Sequence, residues 1–178
     1  MYQYGIPLSA ELLVRPGVSD ALVAVIMGSR SDWETVKPCC DILESFEVSF
    51  EYGVVSAHRT PERMMKYVGV ANARGLKVII ACAGGSAHLP GMAASETTLP
   101  VLGFGPTSKT FGPMDVIGSC IRMPSGVPLS FMGLDKAGAE NAAYEALRII
   151  ALLDDVIASR YFAFVRNQTE TVPYSAHN

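Results

Sequence analysis

Apolar residues along this chain fall into short unbroken runs, and longer amphipathic stretches separate them. Ala21-Leu22-Val23-Ala24-Val25-Ile26-Met27 is such a run, and Lys77-Val78-Ile79-Ile80-Ala81-Cys82-Ala83 is another. Continuous apolar segments of this length, partly β-branched, read as strands buried on both faces of a parallel sheet. Phe46 to Val55 alternates before becoming continuous and reads as a further strand; Leu99 to Gly103 and Val127 to Met132 read as strands four and five.

The intervening stretches carry helical signals. Trp33, Val36, Cys40, Ile42, Leu43 and Phe46 form a stripe that Pro38 interrupts, so that helix is expected to kink or start late. Thr60 is placed to cap a helix opened by Pro61, whose missing N–H has no partner in a first turn. Met64, Met65 and Val68 carry that helix toward Ala73, and Gly75 is its expected stop. Gly84 to Met92 reads as a turn, with a short helix after it. Gly105 to Pro113 reads as a loop and Met114 to Ile121 as a short helix. The clearest helix spans Ala137 to Leu153, and another runs from Asp155 through Val165 and ends before Pro173.

Strands alternating with helices of this length imply right-handed crossovers and a sheet covered on both faces. The expected fold is α/β, a three-layer α/β/α sandwich with a mostly parallel, flavodoxin-like sheet. Residues 1–20, with two prolines and little periodicity, are expected to form an irregular arm before a catalytic α/β domain over 21–155. Residues 156–178 are expected to be a C-terminal helix and tail in subunit contacts.

Composition narrows the classes of function. The 178 residues suffice for one domain with a substantial core. A hydrophobic share of 49% and a mean hydropathy of +0.27 are high for a small domain. Part of the apolar surface is therefore expected in subunit contacts, which makes a homo-oligomer the expected state. Fourteen basic and seventeen acidic residues leave a formal charge of -3, with no basic run to neutralise a phosphate backbone, so no nucleic-acid partner is expected. No apolar run approaches a bilayer span and no signal-peptide pattern opens the chain, so neither membrane insertion nor secretion is expected. Cys39, Cys40, Cys82 and Cys120 lack metal-ligand spacing, which fits a reduced, cytoplasmic chain.

Polar chemistry gathers in three turns, each after one of the first three strands. Gly28-Ser29-Arg30-Ser31-Asp32 offers hydroxyls and amides before a helix, a setting that receives phosphate; Asp32 suits ribose hydroxyls better. Ser56-Ala57-His58-Arg59 supplies a hydroxyl, an imidazole and the planar guanidinium that anion recognition favours. Gly84-Gly85-Ser86-Ala87-His88 adds a glycine turn and a second histidine, in a chain with three. In a doubly wound sheet these turns converge where the strand order reverses, the usual ligand crevice. Each turn has a plainer reading: an N-cap for Gly28 to Asp32, a structural hydrogen-bonder for either histidine, a tight reversal for Gly84-Gly85. Three polar turns at equivalent positions in successive βα units weigh against coincidence.

At these residues the chain resembles the purine-biosynthetic family that contains N5-carboxyaminoimidazole ribonucleotide mutase and aminoimidazole ribonucleotide carboxylase. The resemblance runs from about Val23 to Leu153 through five ordered blocks: Met27 to Trp33, Ser56 to Pro61, Gly84 to Met92, Met123 to Pro128, and Ala137 to Ala143. It implies that Ser29, Asp32 and Arg59 bind the ribonucleotide, that His58 is the general acid/base, and that His88 lies beside the reacting group. Ser31, Ser56 and the small residues Gly84, Gly85, Ser86 and Ala87 complete the expected binding set. It further implies a carboxylate migration using no metal and no organic cofactor, carried out by an octamer.

Imidazole titrates near neutrality, so one residue can give a proton to the departing nitrogen and later take one from the ring carbon. Arg59 after the histidine resembles the mutase branch, whereas the carboxylase branch has Lys there. The second half departs from the usual mutase pattern at Gly103-Phe104-Gly105-Pro106, Ser108 to Asp115, Arg122 to Gly126 and Leu129 to Met132. The alternatives are a carboxylase using free CO₂, a flavodoxin-like binding or electron-transfer module, and a purely structural oligomeric scaffold.

Overall fold

A computed structural model of the chain describes residues 20–108, 110 and 112–175. The expected arm at 1–20 lies outside them except for Asp20, as do Lys109 and Phe111 of the expected loop.

Five strands, β1 Val23–Met27, β2 Phe50–Val54, β3 Val78–Cys82, β4 Val101–Gly105 and β5 Ser130–Leu134, pair in parallel in the order β2-β1-β3-β4-β5. The sheet is all parallel and flavodoxin-like, as the alternation of elements predicts. Helices α1 Trp33–Ser45, α2 Pro61–Gly69, α3 His88–Ser95, α4 Pro113–Ile121, α5 Asp135–Ala151 and α6 Asp155–Thr171 follow in turn, with a 3₁₀ turn at Arg30–Asp32 before α1.

Period-two placement divides the core. Val23, Val25 and Met27 of β1 face one side with Val78, Ile80 and Cys82 of β3, against Val36 and Leu43 of α1 and the alanine-rich face of α5. Ala24 and Ile26 face the other side with Ile79 and Ala81, against Met64 and Val68 of α2, Leu89 and Ala93 of α3 and Val116 of α4. Burial on both faces is why β1 and β3 read as unbroken apolar runs. Gly105 ends β4 where only hydrogen fits, since a Cβ there would lie 2.0 Å from the Ala83 carbonyl oxygen.

Several boundaries differ from those the sequence suggests. The second strand begins at Phe50, not Phe46, because Phe46 caps α1 and Glu47 turns the chain at φ 57. Strand four begins after Pro100, which has no N–H to give to the ladder, and extends to Gly105. Strand five is Ser130–Leu134 rather than Val127 to Met132; the N–H of Val127 donates instead to Pro124 in a turn. Pro38 lies inside α1, which starts at Trp33 and runs through it. Thr60 occupies the cap position of α2 with its hydroxyl turned back to donate to the Ser56 carbonyl, 2.9 Å away. α2 ends at Gly69, and the chain reaches Gly75 through turns. α3 begins at His88, inside the expected glycine turn, and α6 continues past Val165 to Thr171. None of the described helices is long and apolar enough to cross a membrane.

Candidate functional site

The order β2-β1-β3 puts the topological reversal between β1 and β3, and the three polar turns leave the carboxyl ends of those strands and of β2. They enclose a cleft of about 420 Å³ lined by Gly28, Ser29, Asp32, Ser56, Ala57, His58, Arg59, Ala83, Gly84, Gly85, Ser86, Ala87, His88 and Leu89. Every expected site residue except Ser31 lies on its wall. Ser31 stands one step back, its hydroxyl donating to the Ser29 Oγ at 3.0 Å. A groove of similar volume, about 430 Å³, runs between α1 and α5, but its Lys37–Asp41 and Lys136–Glu140 ion pairs face none of the three turns.

The first turn is built by a capping box. The Ser29 N–H donates to Asp32 Oδ2 at 2.9 Å, and the Ser31 N–H donates to Ser29 Oγ at 3.4 Å. The plainer reading of this segment, a turn with an N-cap, therefore holds, and the same contacts place Ser29 and Asp32 on the cleft wall. Burial raises the Asp32 carboxyl above its ordinary range, while the Ser29 N–H and the Arg59 charge pull it down.

Arg59 ties the second turn to the first. Its Nη2 donates to the Gly28 carbonyl at 2.8 Å and its Nε to the Ser56 Oγ at 3.3 Å. Two of five guanidinium donors thus fix its plane at the cleft wall. The buried Ser56 also accepts from the Arg59 N–H at 3.4 Å, so it orients the guanidinium from behind.

The third turn meets the second through its histidine. His58 Nε2 lies 2.9 Å from His88 Nδ1, with the rings 80° apart. A contact of that length between two ring nitrogens needs one N–H, so one ring donates to the other. Gly85 takes φ 62, which glycine adopts without strain, and lets the chain turn into α3 with His88 as its first residue. Gly84 is packed from outside: a Cβ on it would lie 3.2 Å from Pro106 Cγ of the loop after β4.

Ala57, Ala83 and Leu89 also line the cleft, and their residue types do not separate them from core. Thr107 and Asp135 form a contact behind it that the sequence reading missed; Asp135 follows a strand as the three turns do, and that position was its only signal. Among the described residues no group of three or more His, Cys, Asp or Glu side chains is arranged to hold a metal ion.

A family model described as AIR carboxylase matches residues 22–171. The chain is 50% identical over 151 residues to the N5-carboxyaminoimidazole ribonucleotide mutase of Bacillus subtilis, covering 85% of this chain and 93% of that one. It is 48% identical over 150 residues to the enzyme of the same name from Brucella melitensis, covering 84% and 93%. Among solved structures it is similar to Treponema denticola PurE, with a TM-score of 0.75 and 29% identity over 84% of this chain and 92% of that one. Matched through the whole sheet and through all three turns of the cleft, this chain belongs to the AIR carboxylase family.

Proposed function

We propose that this protein is an isomerase of purine biosynthesis, converting N5-carboxyaminoimidazole ribonucleotide to 4-carboxy-5-aminoimidazole ribonucleotide. The observation that carries the reading is the His58–His88 pair at 2.9 Å on a cleft whose other walls are a serine-rich helix entry, Arg59 and a glycine turn. Identity near one half to proteins named as the mutase supports that branch over a CO₂-dependent carboxylase.

The reaction divides into two proton transfers around one enclosed molecule. As the carbamate C–N bond breaks, the exocyclic nitrogen takes a proton from the imidazole of His58 and CO₂ is released inside the cleft. The enamine-like ring carbon then attacks CO₂, a C–C bond forms, and the ring proton returns to His58. No proton is gained or lost overall. His88, within hydrogen-bond reach, holds the His58 ring in position and stabilises whichever form carries the extra proton. Ser29, Ser31 and Asp32 at the helix entry, with Arg59 and Ser56, hold the ribonucleotide. Gly84, Gly85, Ser86 and Ala87 present backbone amides to the carboxylate or CO₂ without side-chain obstruction.

His58, Arg59, Gly84, Ser86 and His88 are exposed in the single chain, so retention of CO₂ calls for a further wall. The apolar side chains left exposed around α6, among them Leu152, Leu153, Val156 and Phe162, support a homo-oligomer, an octamer on the family pattern. A cytoplasmic location goes with the same reading.

The test supplies purified protein with N5-carboxyaminoimidazole ribonucleotide, and separately with aminoimidazole ribonucleotide plus bicarbonate. Turnover of the first without ATP or added bicarbonate is expected. Turnover confined to the second would reassign the chain to the carboxylase branch.

A further inference from the structure

We infer that Asp135 is a positioning residue, a carboxylate latch that holds the loop after β4 against the glycine turn and so keeps CO₂ from escaping. Asp135 stands at the exit of β5 with φ 53, a left-handed conformation that L-residues other than Asn and Asp rarely adopt. Its side chain does not serve its own helix: Leu134 is the N-cap of α5, and the start of that helix has no side-chain cap.

The carboxylate reaches instead across 28 residues of sequence. Its Oδ1 accepts the Thr107 N–H at 2.7 Å, and the Thr107 hydroxyl lies 2.9 Å from Oδ2. Thr107 directly follows Pro106, whose ring backs Gly84 at the cleft wall. The Ala83 N–H donates to the Phe104 carbonyl at 3.2 Å, and on the other side of β4 the pairing with β5 runs on to Gly105 and Leu134. One residue past that pairing, the Asp135 contact to Thr107 adds a side-chain hold on the segment that carries Pro106 behind Gly84. A positive-φ aspartate whose carboxylate serves a distant loop, rather than its own helix, points to a role for that loop.

The inference rests on the mutase reading, and its consequence is a partition. Each time CO₂ forms, it is either captured by the ring carbon or lost, leaving free aminoimidazole ribonucleotide. Loosening Pro106 loosens the wall of Gly84 and raises the lost fraction.

Asp135→Gly accepts the positive φ freely while deleting the latch, and denaturant unfolding confirms that the variant is folded before it is assayed. Its release of aminoimidazole ribonucleotide per product formed is expected to rise about tenfold, with nucleotide KM little changed, as misplacement of a wall by a fraction of an ångström can cost that much. Thr107→Val is expected to raise the same ratio and Thr107→Ser, which keeps both donors, to restore it. An unchanged ratio in Thr107→Val, or in folded Asp135→Gly, overturns the inference. If the parent protein itself fails to convert N5-carboxyaminoimidazole ribonucleotide, the mutase reading falls instead, and the two failures are told apart by that control.

Discussion

The Nε2 of His58 stands 2.9 Å from the Nδ1 of His88, and the two rings meet edge to face. The residues are thirty positions apart and come from different βα turns, so the contact exists only because β1 brings β2 and β3 to its two sides. An imidazole that gives a proton to a substrate and takes one back ends as it began, which a carboxylate migration requires, and a second ring within hydrogen-bond reach holds it in place.

His58→Asn is expected to lower kcat by roughly 10²- to 10⁴-fold, the range for loss of a general acid/base. Nucleotide affinity should stay within a few fold, since Ser29, Asp32 and Arg59 are untouched. Titration calorimetry with aminoimidazole ribonucleotide, alongside a rate assay, checks both halves. His88→Gln is expected to lose less in kcat, because it removes the partner and leaves the proton carrier. An equal loss in kcat and in binding for His58→Asn would contradict the assignment.

Asp32 carries a stability cost at the wall of the cleft. Burial raises its carboxyl above the ordinary value of 3.8, so the folded chain binds that proton more tightly than the unfolded chain. Its contribution to stability therefore falls as pH rises from the ordinary carboxylate range through the raised value. Asp32→Asn removes the charge and keeps an oxygen for the Ser29 N–H. The variant is expected to be more stable than the parent near neutrality, with the advantage shrinking in mild acid, and to lose turnover. Urea unfolding at the two pH values, at fixed protein concentration, measures this. An advantage that does not change with pH would point away from the carboxyl charge.

Behind α2, the buried carboxylate of Glu51 on β2 accepts from Tyr67 at 2.5 Å and from Arg74 at 2.5 Å. This cluster fixes the helix that Ser56 to Pro61 opens. Tyr67→Phe deletes one hydrogen bond to a buried charge and is expected to cost about 1.5–3 kcal/mol of stability. Burial also lifts the Tyr67 phenol well above its ordinary range, helped by the Glu51 charge, so the bond survives into alkaline pH. Denaturant unfolding of the variant gives the cost, and turnover measured well below its unfolding midpoint should remain close to the parent's.

The sheet was legible where residues on both faces are buried. β1 and β3 are unbroken apolar runs because α1 and α5 cover one side and α2 and α3 the other. β4 and β5 slip by two or three residues because Pro100 and Pro128 sit in apolar context yet cannot donate to a ladder. Phe46 to Ser49 imitates a strand, but Phe46 owes its apolar character to Tyr144, Tyr161 and Phe164, against which it packs.

The cleft that forms the candidate site was legible for a different reason. Gly, Ser, His and Arg at strand exits announce themselves by type, and the fold brings strand exits together. The His58–His88 contact, the hold of Arg59 on Gly28 and the bond from Thr107 to Asp135 join residues about thirty apart, and no local pattern encodes those pairings. Asp135 in particular looks like an ordinary helix-start aspartate until its φ and its partner are known.

The central claim is that the carboxylate moves within one closed cleft. Substrate labelled with carbon-13 in the N5-carboxylate, turned over in a pool of unlabelled bicarbonate, tests it most directly. Mass spectrometry of the ring-carboxylated product is expected to find the label retained in most of it. Product carrying mainly unlabelled carboxylate would mean that CO₂ is drawn from solution, and the account of an enclosed migration would be wrong.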